Sequence, residues 1–175
     1  MKLKKQLYKM IYNHRFKKLG ISHGKNSRVA KHVKNFLPKG FVSVGDDVVI
    51  KTGVEFRGDG KIAIGNDVVV AHYTWLYSSR EGGITIGNHT MIGPFCFFID
   101  SNHGTKKNQL IIDQKSSYGK IVIGDDCWVG AKSVVLKSTI LPDHSVAGAM
   151  SLLNKAYPEN AIVAGNPAKF IKFRE

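Results

Sequence analysis

Apolar residues return every six positions along most of this chain. Val44, Ile50 and Phe56 form one run, Ile64, Val70 and Leu76 a second, Ile86, Ile92 and Phe98 a third, and Ile123, Val129, Val135, Leu141 and Ala147 a fourth. Four residues after each comes a second series that is Val, Thr, Ser or Cys at eleven of fourteen positions; Gly60, Arg80 and Asn102 are the exceptions. Glycine follows the apolar residue at Gly45, Gly65, Gly87, Gly93, Gly124, Gly130 and Gly148, where positive φ or a tight corner is expected. A period of six suits neither an amphipathic helix nor a simple alternating strand. It suits short strands joined by corners, three to a triangular turn, each turn stacking its aliphatics on its neighbours. The expected fold is all-β, a parallel β-helix of about five coils over 44–61, 64–81, 86–103, 123–140 and from 141 onward.

The beat stops in FIDSNHGTKK, residues 98–107, and resumes only at Ile123. The intervening segment 104–121 is therefore expected to leave the coil as one loop, with His103 at its start.

Length and composition point to one soluble domain: 175 residues, 43% hydrophobic and 22% charged. Cys96 and Cys127 both fall on the small inward series and read as packed thiols. The absence of a CxxC motif or a disulfide framework fits a reducing, cytoplasmic setting. The net charge of +13 is unevenly placed, because residues 1–40 hold twelve Lys or Arg and no Asp or Glu, and the remaining 135 hold fourteen against thirteen. Within residues 1–20, Leu3, Leu7, Met10 and Ile11 stand at helical spacing among lysines. Two compatible readings stay open for this basic segment. It caps the exposed end of the solenoid, or it docks peripherally on an anionic membrane. No apolar run reaches signal-peptide or membrane-span length, and the segment carries no recognised nucleic-acid-binding motif.

The segments IVIGDDCWVGAKSVVL and AGAMSLLNKAYPENAIVAGNPAKFIK resemble the hexapeptide-repeat acyltransferases, above all the sugar O-acetyltransferases of the galactoside, maltose and surface-polysaccharide type. The resemblance covers residues 42–172 and rests on CWVG, SLLNK and AGNPAK in this order and spacing. It implies a left-handed coil over residues 21–172, where the general rule for parallel crossovers gives the right hand. It also implies a short C-terminal helix, a homotrimer with active sites between neighbouring prisms, acetyl-CoA as acyl donor and no metal.

By the same resemblance the catalytic histidine stands at the base of the extruded loop, which is His103. Its chemistry is independently reasonable, since a hydroxyl acceptor needs a base near neutral pH and an imidazole, ordinarily titrating near about 6.5, supplies one. The resemblance assigns the backbone N–H groups of Ala131, after Trp128, and of Ala149 to the thioester and the pantetheine arm, with Asn154 alongside. It assigns Lys155, Lys169 and Lys172 to the coenzyme A phosphates. Met150 and Asn154 replace the family's usual glycine and threonine, which alters the pantetheine channel. Trp75 falls where galactoside-type enzymes bind acceptor, and an indole there either stacks on a sugar or packs. Asp100 and Asn102 are candidates to orient His103 or to bind acceptor. The alternatives are N-acetylation of a nucleotide-linked amino sugar, a non-catalytic scaffold, and a γ-type carbonic anhydrase. The last needs a histidine set that the chain lacks, since His103 is the one histidine between 90 and 143.

Overall fold

The computed structural model describes the backbone of residues 2–175 and side chains from residue 6 onward, so the side chain of Leu3 lies outside the described residues. Six full coils form a three-sided prism. The first sheet stacks Ser22–His23, Val42–Val44, Ile62–Ile64, Ile84–Ile86, Ile121–Ile123 and Ile140–Leu141. The second runs Arg28–Val29, Val49–Ile50, Val69–Val70, Met91–Ile92, Trp128–Val129, Val146–Ala147 and Ala161–Ala164, and the third runs Lys34–Asn35, Glu55–Gly58, Trp75–Ser78, Phe97–Ile99, Val134–Leu136 and Leu152–Leu153. Successive coils pair in parallel register, so like stacks on like. Ile64 pairs with Ile86 and Ile86 with Ile123; Phe56 pairs with Leu76 and Leu76 with Phe98. These aliphatics are buried, as the six-residue beat requires.

The coil at residues 22–35 precedes the five that the beat marks out. Its inward positions include His23 and Asn35, which pair with Val44 and Phe56, so no apolar period is visible there. Both serve the end cap. An α-helix, α1 (Lys2–Leu19), buries Phe16, whose ring stacks on His23 with centroids 4.3 Å apart. Asn35 Nδ2 donates to the Leu19 carbonyl at 2.8 Å, covering a helix-end acceptor that has no partner in the helix. The helix turns Phe16 toward the coil and leaves Leu7 and Met10 57% and 69% exposed.

The opposite end departs from expectation. Residues Lys169–Phe173 form a strand, not a helix, and pair antiparallel with Ala161–Ala164. The aromatic and β-branched content of KFIKF favours that state, and the reversed strand covers an edge that would otherwise offer free N–H and C=O groups.

The small inward series is buried from Val48 to Ser151, and its hydroxyls fasten coil to coil. Thr90 Oγ1 donates to Gly124 O at 2.9 Å and accepts from Cys127 N at 3.0 Å. Arg80 and Asn102 break the series because they stand exposed on the corner between the third and first sheets, where chain is inserted. Cys96 and Cys127 are buried free thiols, and burial pushes each up to about 11, so neither ionises readily at neutral pH.

The corner glycines answer a different need from positive φ. The left-handed residues are Asp47, Asp67, His89, Phe95, Asp126, Lys132 and Met150, two positions further on. A Cβ on Gly87 would come within 2.5 Å of the Gly124 carbonyl carbon, and one on Gly130 within 2.4 Å of Ala149 N. Stacked coils approach too closely there for any side chain. Beside these glycines, Asp46, Asn66, Asn88, Asp125 and Asp143 form a ladder in which each accepts an N–H from the coil below at 2.7–2.9 Å.

Asn88 joins amide to carboxylate within this ladder, donating Nδ2 to Asp125 Oδ2 at 3.0 Å. That bond, before the other contacts, holds the Asp125 carboxyl below its usual range. The stabilisation is complete above the unfolded-state value and is lost as pH falls through the lower folded-state value. Asn88→Asp removes the donor and sets two carboxylates together. It should lower the melting temperature by about 2–6 °C at pH 7 and by progressively less as pH falls through the carboxylate range and the pair takes up protons; thermal denaturation across that pH range tests this.

Candidate active site

The chain leaves the coil after Ile99 and returns at Ile121, so the excursion runs over residues 100–120. Its base is a short hairpin in which Ser101–Asn102 pairs with Ser117–Tyr118. The outer part is ordered by Gln114, whose Oε1 accepts from Lys106 N and whose Nε2 donates to the carbonyls of Lys106 and Gln109. Its tip exposes Leu110, Ile111 and Ile112, the last at 85%.

A cavity of about 610 Å³ opens beside the hairpin, on the corner from the third sheet to the first. His103 and Asn102 lie on one side, with Tyr77 and Tyr118 as aromatic walls and Asp59, Arg80 and Glu81 at the rim. The His103 imidazole makes no hydrogen bond among the described residues, so neither ring nitrogen is committed to the fold. Arg80 is partly neutralised by Asp59 at 3.7 Å.

Asp100 does not orient His103. It is fully buried, and its carboxylate accepts from Ser79 N at 2.8 Å, Gly83 N at 2.6 Å and Ser78 Oγ at 3.1 Å. Its carbonyl accepts Gly119 N–H at 2.9 Å on the returning arm of the loop. One residue thus ties the corner 79–83 to both arms of the hairpin, and these are the walls of the cavity.

Trp75 stands outside the cavity. It lies on the outer face of the third sheet, with the Arg57 guanidinium 4.7 Å from its ring centroid and Phe97 edge-on at 6.5 Å. The aromatic side chain that reaches the cavity from the same strand is Tyr77. Alternation alone puts Trp75 and Tyr77 on one face. Only the position of the corner separates their surroundings.

The expected cofactor residues divide between two edges. Ala131 and Ala149 follow Gly130 and Gly148 on the corner from the second sheet to the third. Their N–H groups donate to no group among the described residues, while Met150 N donates to Ala131 O at 2.8 Å. Lys169 pairs with Ala164 at the same edge. Lys172 lies further along that strand, 2.9 Å from Glu175. Trp128 points outward from the second sheet beside Met91 and Arg174. Asn154 and Lys155, in contrast, follow the last strand of the third sheet and share the edge of His103. Within one chain the third sheet lies between the histidine and the free N–H column.

No family model matches the chain. It is 30% identical over 161 residues to WbbJ of Escherichia coli K12, named for O-acetyl transfer in lipopolysaccharide biosynthesis, covering 85% of this chain and 80% of that protein. It is also 30% identical over 131 residues to WcaF of the same strain, named for acetyl transfer in colanic acid biosynthesis, with 75% and 69% covered. Among solved structures, a variant of the N-acyltransferase AntD from Bacillus cereus, in complex with dTDP and coenzyme A, superposes with a TM-score of 0.84 at 25% identity, covering 93% of this chain and 89% of that one. The stacked register, the loop with His103 at its base and these relatives together make the chain a member of the hexapeptide-repeat acyltransferase family, in its sugar O-acetyltransferase branch.

Proposed function

We propose that this protein transfers the acetyl group of acetyl-CoA to a hydroxyl of a saccharide that serves surface-polysaccharide synthesis. The observation that carries the reading is an uncommitted imidazole, His103, in an aromatic-walled cavity at the base of the extruded loop. His103 takes the proton of the acceptor hydroxyl as its oxygen attacks the thioester carbonyl. The carbon–sulfur bond then breaks, and the departing thiolate recovers the proton from the imidazolium. Charge on the carbonyl oxygen calls for fixed donors, and the free N–H groups of Ala131 and Ala149 are suited to the thioester and its pantetheine arm. Lys155 and Lys169 are suited to the phosphates of the donor. Tyr77 and Tyr118 suit the faces of a sugar ring. Asp59 and Glu81 would also suit an amine, so the N-acetyl reading is tested in the same saccharide screen. Mild base releases an O-acetyl ester and spares an amide.

The separation of His103 from the N–H column supports a site completed by a second copy of the chain, as in a trimer. Apolar surface supports it too. The loop tip, Leu110 to Ile112, projects from the histidine edge, and the stacked Tyr73 and Phe95 rings and Met150 stand exposed at the N–H edge. Exposed apolar surface of this extent marks contact sites. The helix α1 supports peripheral attachment to an anionic membrane, because Leu7 and Met10 face away from the prism within the basic segment. It is not apolar enough to cross a membrane.

A mixed-subunit experiment tests base and assembly together. His103→Ala should lower turnover by about 10²–10⁴ with acetyl-CoA affinity kept. Ala131→Pro removes an N–H where the corner tolerates proline, since Pro94 holds the equivalent position one coil below, and should lower turnover by about 10²-fold. Mixed after unfolding and refolding together, the two variants should regain activity. Near-normal turnover of His103→Ala ends the base assignment, and failure of the mixture to recover ends the shared site.

Asp100 positions the cavity walls and touches neither substrate. With a sugar identified by the screen, Asp100→Asn should raise the acceptor KM by about tenfold and leave the acetyl-CoA KM within about threefold. Gly82→Ala should act alike, because its Cβ would meet Asp100 Oδ2 at 2.3 Å. Parallel loss for both substrates would reduce Asp100 to general stability.

For the membrane contact, the intact chain should sediment with phosphatidylglycerol vesicles at low salt, release at about 0.5 M salt, and ignore phosphatidylcholine. Removal of residues 1–20 should abolish binding. Equal sedimentation with both lipids leaves α1 as a cap alone.

A further inference from the structure

The groove between α1 and the first coil takes no part in the chemistry above. It is an open groove of about 540 Å³. Along the helix wall the Tyr8 and Tyr12 rings lie nearly parallel, inclined by 19° with centroids 6.3 Å apart, and Lys9 stands between them in sequence. Asn26, Arg28 and Asp47 of the first two coils form the facing wall. Neither Lys9 nor Arg28 forms an ion pair among the described residues. Residues 1–40 carry twelve cations and no carboxylate, and although Lys34 pairs with Glu55 and the carboxylates of Asp46 and Asp47 lie on the facing coil, the balance of charge around the groove is positive.

This lining asks two things of a ligand at once. Tyr8, 48% exposed, and the half-buried Tyr12 beside it, with the Arg15 guanidinium 5.8 Å from the Tyr12 centroid, offer aromatic surface that suits the C–H face of a sugar ring. The uncommitted guanidinium and ammonium call for an anion with several acceptor oxygens. A plain anion would leave the aromatic wall unused, and a neutral sugar would leave the cations unpaired. We propose that the groove binds a glycosyl phosphate, its ring along Tyr8 and Tyr12, its phosphate on Arg28 and Lys9, and its hydroxyls on Asn26 and Asp47. The volume is within the range of small-molecule sites. The site is distinct from the cavity at His103 and lies against the helix whose outer face carries Leu7 and Met10, where a saccharide phosphate anchored in a membrane would arrive.

Isothermal titration of the full chain with glucose 1-phosphate at about 50 mM salt tests the proposal, with glucose, inorganic phosphate and glycerol 1-phosphate as separate arms. Glucose 1-phosphate should saturate one site per chain and bind at least about tenfold more tightly than any control. Arg28→Ala should weaken it by about tenfold or more, and Tyr8→Ala by about fivefold. Both side chains are exposed, and an unchanged melting temperature verifies that the variants fold. Inorganic phosphate binding equally well would make the groove a general anion patch, and glycerol 1-phosphate binding equally well would make it a phospholipid headgroup surface. Either result overturns the proposal, as does unaltered binding by Arg28→Ala or no saturation by about 10 mM. The readout involves no acetyl transfer, so its failure leaves the catalytic reading standing.

Discussion

Everything in this protein hangs on in-register stacking of one coil on the next. Each inward residue lies over its counterpart at the spacing of paired strands, so the volume available at a position is set by the coils on either side. Ile64, Ile86 and Ile123 follow one another in the first sheet for that reason, and glycine recurs at the corner where backbones converge. A larger residue at any of these points would act on two neighbours at once, because close-packed interiors transmit strain.

The same constraint decides where chemistry can be placed. Faces and interior are occupied by the stacking; corners are not. At the corner from the third sheet to the first, insertions grow from Asp59 and Gly60 through Ser79–Gly83 to the excursion at 100–120, and the cavity is the space between them. Asp100 keeps that space defined, since its buried carboxylate takes its donors from the corner 78–83 while its own carbonyl accepts Gly119 N–H from the returning arm of the loop. At the corner from the second sheet to the third, the N–H groups of Ala131 and Ala149 have no partner among the described residues. One edge thereby presents the His103 imidazole and the other presents unpaired N–H groups.

The two ends solve one problem by different means. A stack of parallel strands ends in unpaired backbone. At the start, α1 lays Phe16 on His23 and accepts a hydrogen bond from Asn35, so polar residues occupy positions that elsewhere are aliphatic. At the finish the chain reverses and pairs antiparallel with its own preceding strand. Both solutions leave apolar side chains turned to solvent among basic residues, Leu7 and Met10 at the start and Phe170, Ile171 and Phe173 at the finish.

The six-residue beat by itself determined the solenoid, most of the inward series and the buried thiols, because each is a local consequence of stacking equal coils; it set the start of the loop at residue 104, whereas the chain leaves the coil at residue 100. His103 was legible for the same reason, as the residue at which the beat fails. The first coil was not, since His23 and Asn35 interrupt the apolar period and make sense only against α1. KFIKF became a strand rather than a helix because a strand edge was waiting for it. Asp100, three residues before His103, turned inward to Ser79 and Gly83, and Tyr77 rather than Trp75 reached the cavity. Those outcomes depend on which corner a residue adjoins and what the coil above and below present there, and such relations between residues some twenty positions apart exist only once the coils are stacked.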